Sequence, residues 1–225
     1  MIIIRINGGL GNQLFQYAAG RRLAYKHNTI LKLDITELVN SYGNHIYGLK
    51  NFNIKEYFST ITDIIRFFPR LGLERIFSKI PKFNLINYFF DNVTDYKTGS
   101  LMRRYYNYNP SSNEVIDLVD GRILSQRFFH FDTEVLEAPD NVYMTGSFIS
   151  EKYFKDIREI ILEEFSFKPE QSDEDIKMNE MICGSESVSI HIRRGDVVEE
   201  SSYQTTHNFI TSQYYKTCVE YIADN

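Results

Sequence analysis

The sequence has 225 residues, of which 43% are hydrophobic and 24% are charged, and its formal net charge is −5. This composition is typical of a soluble globular protein of one or two domains, and it excludes a disordered, collagen-like or coiled-coil chain. The negative net charge disfavours a nucleic-acid-binding protein. The two cysteines, Cys183 and Cys218, match no metal-binding spacing, so we expect buried, reduced thiols.

No segment resembles a signal peptide or reaches the roughly 20 apolar residues of a membrane-spanning helix. The apolar run at the N-terminus ends after Ile6, and the Phe and Tyr clusters further on are interrupted by charged residues or proline. We therefore expect a cytoplasmic protein, with peripheral association at the inner membrane compatible with this sequence.

The N-terminal segment predicts a βαβ unit. Residues 2–6 are all isoleucine except Arg5, and such an apolar, β-branched run is typical of a buried parallel strand. A glycine-rich turn over residues 7–12 follows, and residues 13–27 carry apolar side chains at the spacing of a helix face. Residues 29–33 predict a second strand, which ends at Asp34.

The middle of the chain is harder to interpret, because residues 35–120 mix Tyr, Asn, Lys and Phe without a clear period. Beyond it, residues 122–125 and 142–145 are short strand candidates. Ser150 is a suitable N-cap for a helix over residues 151–165, in which apolar residues recur at helical spacing.

The C-terminal part predicts a second lobe. Residues 167–173 contain a proline among polar residues and are the best candidate for a boundary. Beyond this boundary, helices are predicted over residues 175–183 and 213–222, with a strand over residues 187–192 between them.

The first candidate for a functional motif is Gly-Gly-Leu-Gly-Asn-Gln at residues 8–13. Glycines between a strand and a helix let the backbone approach a ligand, and the helix N-terminus offers free N–H groups and a partial positive charge. The motif also resembles half of a dinucleotide fingerprint, whose third glycine would fall at Leu14 and whose ribose-binding acid would be Asp34. A turn required only by the sheet topology is the alternative interpretation.

The second candidate is Ser-Ile-His-Ile-Arg-Arg-Gly-Asp at residues 189–196. Strand alternation places His191 and Arg193 on one face, and Arg194 leaves the strand end, where α/β proteins bind ligands. Guanidinium groups bind phosphate oxygens in a bidentate manner, so the two arginines are candidates to hold a diphosphate. A surface salt bridge to Asp196 is the alternative.

Asp173-Glu174-Asp175 has the D-x-D form of some metal-dependent transferases. Its position at the start of a predicted helix favours capping and interaction with the helix dipole instead. No other group of His, Cys and carboxylate residues has metal-ligand spacing, so we expect no metal site.

These motifs together resemble glycosyltransferase family 11, the α-1,2-fucosyltransferases. The similar segments occur in the family's order along nearly the whole chain, at residues 4–18, 146–154, 191–196, 214–216 and 220–222. The resemblance implies an α/β protein of GT-B type, with two Rossmann-like lobes. Residues 1–168 would form the acceptor-side lobe and residues 169–225 the start of the donor-binding lobe, which is expected to be incomplete in a chain truncated at its C-terminus.

The resemblance further implies transfer of L-fucose from GDP-fucose to the 2-hydroxyl of a galactose-type acceptor, with inversion and without a metal or other cofactor. The implied catalytic residues are Arg193, Asp196 and Asn12. The implied donor-binding residues are His191, Arg194, Gly9 and Gly11. Cationic groups fixed at the β-phosphate lower the barrier to departure of GDP, which is the role expected of Arg193.

The identity of the base that accepts the proton of the acceptor hydroxyl stays open among Asp196, Glu199 and Glu200. Two other functions stay open as well. One is a Rossmann-type NAD(P)-binding oxidoreductase that uses the glycine loop and Asp34, although Leu14 argues against it. The other is a non-catalytic nucleotide-sugar-binding domain.

Overall fold

The fold is described from a computed structural model, for residues 1–40, 46–67, 115–118, 121–126, 130–168, 172–192 and 212–224. The chain divides into two compact units, Met1–Pro169 and Glu170–Asn225. The acceptor-side and donor-side roles expected of two lobes stay predictions.

A mixed sheet forms the centre of the first unit. Its strands in the described residues are β1 (Ile2–Arg5), β2 (Leu31–Asp34), β3 (Val115–Leu118), β4 (Gly121–Ser125) and β5 (Val142–Thr145). Their order is β2-β1-β5-β4-β3. In this order, β2, β1, β5 and β4 run parallel to one another. The edge strand β3 is antiparallel to β4. The predicted α/β class is confirmed, whereas the GT-B arrangement of two lobes stays a prediction.

Over its described residues, the first unit combines this sheet with one long helix and several short ones. Those described are α1 (Leu10–Lys26), α2 (Thr36–Asn40), α3 (Ile61–Ile65), α4 (Glu134–Glu137) and α5 (Arg158–Glu164), with 3₁₀ turns at Leu49–Asn51, Glu151–Tyr153 and Lys155–Ile157. The helices described in the second unit are α6 (Asp173–Cys183) and α7 (Ser212–Ala223). None of the helices in the described part of the chain combines the length and apolar character needed to cross a bilayer.

Helix α1 packs closely on the sheet. Ile2, Ile4 and Leu33 are fully buried. A Cβ atom added to Gly20 would lie 2.9 Å from Leu31 Cδ1 and 3.1 Å from Ile4 Cβ, so the helix crosses the sheet where only glycine fits without a shift. The predicted βαβ opening is therefore confirmed.

The start of α1 differs from the prediction. The helix begins at Leu10, three residues before the predicted start at Gln13, so Gly11 and Asn12 belong to its first turn. The reason is local: Gly9 is the N-cap in an extended conformation, and the Gln13 N–H donates to the Gly9 carbonyl at 3.1 Å, which closes the first turn.

The segment predicted as one helix over residues 151–165 is instead two 3₁₀ turns followed by α5. Ser150 is the N-cap, as predicted, because its hydroxyl accepts the Lys152 N–H at 3.3 Å. The tighter turns accompany burial of Tyr153, whose hydroxyl accepts a hydrogen bond from Gln126 Nε2 at 2.6 Å.

In the second unit the two predicted helices are confirmed, but the predicted strand over residues 187–192 is wrong. This segment is irregular, and Val188, Ile190 and Ile192 are each more than half exposed. A strand needs a neighbour to satisfy its backbone groups, and no described segment of this unit pairs with it. An apolar run is therefore not sufficient to produce a strand there.

The expectation of buried thiols is wrong for Cys183, which is exposed, while Cys218 is half-buried. Both lie on helices whose described residues include no buried side chain. Both thiols are free, as predicted.

The acidic triplet serves as a helix start, as predicted. Ser172 is the N-cap of α6, and its hydroxyl accepts the Asp175 N–H at 3.1 Å. Asp175 in turn accepts from the Ser172 N–H and hydroxyl, and these hydrogen bonds lower the pKa of its carboxyl.

Candidate functional site

The carboxyl edge of the parallel strands in the first unit is the candidate site. Ile6 and Asn7 follow β1, β2 ends at Asp34, Gln126 follows β4, and Gly146 follows β5. Parallel strands bring these positions to one edge, which is where α/β sheets bind ligands.

In the glycine loop, residues 7–12, the backbone conformation itself requires glycine at position 8. Gly8 has φ +70°, and a Cβ atom there would lie 2.7 Å from the Asn12 side-chain nitrogen. Any other residue would be strained in this conformation and would displace Asn12. Gly8 therefore builds the loop.

Gly9 and Gly11 differ from Gly8. A Cβ atom on either would meet nothing within 4 Å among the described residues. Leu10 is 43% exposed, and Gly11 and Asn12 are also exposed. We call residues 9–12 the exposed tip. Because α1 carries no acidic residue in its first turn, its own side chains leave the partial positive charge of this helix end uncompensated.

Gln13 lies directly behind the exposed tip and is fully buried. Its Nε2 donates to the carbonyls of Gly8, at 2.8 Å, and Ile46, at 2.9 Å. Its Oε1 accepts the Gly48 N–H at 3.0 Å. This amide therefore joins the glycine loop to the segment that precedes the first 3₁₀ turn.

Gln16 makes a second set of contacts one turn further along α1. Its Oε1 accepts the Asn7 N–H at 3.0 Å, and its Nε2 donates to Asn7 Oδ1, at 2.6 Å, and to the Gly146 carbonyl, at 3.0 Å. This side chain is 1% exposed, so it joins the ends of β1 and β5 beneath the surface.

Asp34 is fully buried and its carboxylate is occupied by internal partners. Oδ1 accepts the N–H and hydroxyl of Thr36 at the start of α2, and Oδ2 accepts the Tyr143 hydroxyl at 2.6 Å. Burial raises the pKa of Tyr143, and the Asp34 charge raises it further, so this hydroxyl stays protonated and donates. The Asp34 carboxylate is therefore not open to a ribose hydroxyl, which argues against the NAD(P) hypothesis.

A charged pair borders the loop at the same edge. The Arg5 guanidinium donates to Glu37 Oε2, and Asn7 Nδ2 donates to the same oxygen at 3.3 Å. The Glu37 side chain is 37% exposed, so part of the carboxylate faces solvent. No sequence motif singled out this pair.

The loop after β5 is held against the end of β4. A Cβ atom on Gly146, which has φ +151°, would lie 2.7 Å from Gln126 Cβ and 2.8 Å from its carbonyl oxygen. Gln126 Oε1 accepts the N–H of Phe148 at 2.6 Å, and Phe148 is fully buried at φ +50°. The family-like segment that begins at Gly146 is thus fixed by close packing and by one buried amide.

The residues predicted for the first lobe lie together at this edge. Asn12, Gly9 and Gly11 are all part of the exposed tip. In the second unit, His191 is exposed and is not on a strand, contrary to the prediction. The other predicted residues lie outside the described residues, and their roles stay predictions: Arg193, Arg194, Asp196, Glu199 and Glu200.

Gln13 belongs to the predicted glycine motif, but neither its contacts nor those of Gln16 were predicted. A signal was present, because both amides fall on the side of α1 that otherwise carries its buried apolar residues. A polar side chain at a buried helix position must find hydrogen-bond partners, which indicates a structural contact. Among the described residues no three His, Cys, Asp or Glu side chains are grouped so that they could hold a metal ion.

Comparisons with known proteins agree with these motifs. The family model described as glycosyl transferase family 11 matches residues 110–225, which is just over half of the chain. An alpha-1,2-colitosyltransferase of Escherichia coli is 26% identical over 225 residues, which is 100% of this chain and 64% of the relative. The chain thus spans less than two thirds of the length of that relative. No solved structure matches the chain. The extent of the family match shows that the chain belongs to glycosyl transferase family 11.

Proposed function

We propose that the protein is an α-1,2-fucosyltransferase that transfers L-fucose from GDP-fucose to the 2-hydroxyl of a galactose-type acceptor. The observation that carries the proposal is the family match, whose residues 110–225 include the His-Ile-Arg-Arg-Gly-Asp segment at 191–196. The exposed tip supports it, because nothing in the described part of the chain would crowd a side chain at Gly9 or Gly11.

The proposed reaction is a direct displacement, in which departure of GDP is assisted and no covalent intermediate with the enzyme forms. The acceptor 2-oxygen bonds to the anomeric carbon as the bond from that carbon to the β-phosphate oxygen breaks, and GDP departs from the opposite face. The proton of the acceptor hydroxyl passes to a carboxylate base, for which Asp196, Glu199 and Glu200 are the candidates. Arg193 stabilises the charge that grows on the diphosphate, and the reaction then needs no metal.

The first unit contributes a place where backbone can approach a substrate. The Asn12 side chain can both donate to and accept from sugar hydroxyls. The N–H groups at the start of α1 favour negative charge or hydroxyl oxygens beside them. A side chain at Gly9 or Gly11 would fill space that this proposal assigns to the substrate.

A second donor is favoured by a specific observation, because the Escherichia coli relative is named for transfer of a colitosyl group. Colitose is L-fucose without its 3-hydroxyl. A site that hydrogen-bonds a hydroxyl rejects the analogue lacking it by a factor of about 10⁴, whereas an apolar pocket discriminates only about 100-fold. The ratio of rates with the two donors therefore identifies the kind of pocket.

The test is a transfer assay with the full chain, in which GDP-fucose, GDP-colitose and GDP-mannose are compared against a panel of β-galactosides. We expect a 1,2-linked product from one of the first two donors, with GDP-mannose inactive. Arg193→Ala should reduce the rate by about 10²- to 10³-fold, and Arg158→Ala, an exposed arginine, is the matched control. GDP-fucose binding without turnover by any acceptor would instead support the non-catalytic hypothesis.

A further inference from the structure

We propose that Gln13 and Gln16 are positioning residues that hold the exposed tip in one conformation for its substrate. The inference rests on the proposed function, because the position of the tip matters only if the tip contacts a substrate. Both side chains are buried, so both act through the loop groups that they bind and not through contact with a ligand.

The Gln13 amide binds three backbone groups, two of them as a donor and one as an acceptor. Its two N–H bonds reach the carbonyls of Gly8 and Ile46, and its oxygen accepts the Gly48 N–H. Only an amide of this length offers two donors and an acceptor at one end. Glutamate could not donate and methionine could do neither, so the contact set specifies glutamine.

Gln16 does the same on the other side of the loop. It accepts from the Asn7 N–H and donates to the Asn7 side chain and the Gly146 carbonyl. These contacts fix the residue at which the chain leaves β1 relative to the loop that follows β5. The two amides, three positions apart on α1, thereby hold the glycine loop at Asn7 and at Gly8.

Side-chain packing at the two glycines of the exposed tip adds nothing to these contacts among the described residues, because a Cβ atom on Gly9 or Gly11 would meet no described atom within 4 Å. Leu10 lies close to Gly48, whose N–H Gln13 binds, so the Gln13 contact also sets the position of this part of the tip. A misplacement of about 1 Å at a substrate-positioning group can reduce a rate about 100-fold. The loop conformation set by the amides is therefore expected to control turnover more than stability.

A matched control lies next to Gln16 on the same helix. Tyr17 is also fully buried, donates to Glu164 at 2.7 Å and accepts the Lys55 N–H at 3.1 Å, and neither of these hydrogen bonds involves the glycine loop. Tyr17→Phe therefore removes buried polar contacts from α1 but leaves the loop contacts in place. A purely structural role for the glutamines predicts the same behaviour for all three positions.

The experiment compares Gln13→Met, Gln16→Met and Tyr17→Phe in the full chain by amide hydrogen exchange, thermal unfolding and steady-state transfer. We expect exchange of the Gly48 amide in the first variant, and of the Asn7 amide in the second, to rise about tenfold or more. Both should lose about 10- to 100-fold in kcat with little change in KM for the donor. Tyr17→Phe should lower thermal stability and leave kcat and both exchange rates unchanged.

Unchanged exchange in the glutamine variants, or an equal loss of kcat in all three, would overturn the proposal. Absence of any transfer by the wild-type chain would count against the proposed function, and the exchange rates would then decide by themselves whether the amides hold the loop. If Gln16→Met does not fold, Gln16→Glu keeps an acceptor for the Asn7 N–H and removes the donor to Gly146. The same loss of kcat is expected for that variant.

Discussion

The exposed tip and the buried polar groups of the first unit place opposite demands on their residues. At the tip, Gly9 and Gly11 have open space around them among the described residues. In the interior, Glu164 accepts from the Tyr17 hydroxyl at 2.7 Å and from Arg21 Nε at 2.9 Å. Substitutions at the buried group around Glu164 should therefore cost stability, whereas substitutions at the tip should cost activity.

The largest effect is expected from Glu164→Ala. It leaves the Arg21 guanidinium, with 12% of its side chain exposed, without its carboxylate partner. Loss of one member of a buried ion pair costs about 3–5 kcal/mol in the free energy of unfolding, which urea titration would measure. The neighbouring exposed Glu163→Ala is the control and should change it by less than about 0.5 kcal/mol. If Glu164→Ala lowered the free energy of unfolding by less than about 1 kcal/mol, this buried group would be no more important for stability than the exposed tip.

Gly146→Ala should be nearly as damaging. An alanine there would adopt φ +151° with its Cβ atom 2.8 Å from the Gln126 carbonyl oxygen. Strain of this kind costs about 1–3 kcal/mol, and the backbone clash adds to it. Gly9→Ala is the control, because its Cβ atom has open space among the described residues. Equal unfolding free energies for the two variants would show that the crowding at Gly146 does not make it more sensitive to substitution than Gly9.

A smaller effect should follow from acid. Burial raises the pKa of the Asp63 carboxyl, but hydrogen bonds from Lys32 and Thr60 outweigh it and lower the pKa to about 2. Since the unfolded pKa is about 3.9, this group stabilises the fold above pH 4 by about 2 kcal/mol, and the contribution is lost as the pH falls from about 4 to 2. Unfolding titrations across this range would measure the loss. Asp63→Asn should flatten the curve, and an equally steep curve in that variant would assign the loss to other groups.

The smallest change in stability, with the opposite sign, is expected at the tip. Gly11→Ala lies in the first turn of α1 with open space around its Cβ atom among the described residues. It should raise the unfolding free energy by up to about 0.5–1 kcal/mol, because alanine loses less backbone entropy in a helix than glycine. The transfer rate should fall at the same time. An unchanged rate, measured with saturating acceptor, would mean that no substrate approaches Gly11.

Local patterns predicted much of the first unit. The apolar run at residues 2–6 predicted a buried parallel strand, because a strand covered on both faces has no polar side, and residues 142–145 were correctly predicted as a short strand. Ser150 and the acidic residues near Ser172 predicted helix starts, because capping uses only nearby backbone groups. The same approach failed for residues 187–192, since a strand also requires a neighbour that no local pattern supplies.

The sequence by itself determined the βαβ opening, the caps at Ser150 and Ser172 and the glycine motif, because each depends on residues close together in the chain, and the order of its motifs indicated glycosyl transferase family 11. Only the tertiary structure decided that Asp34 is occupied by Tyr143, 109 positions away, and that Gln16 binds Gly146, 130 positions away. Such pairs form when separate strands end at one edge of the sheet, and hydrogen bonds of this range leave no periodic signal in the sequence.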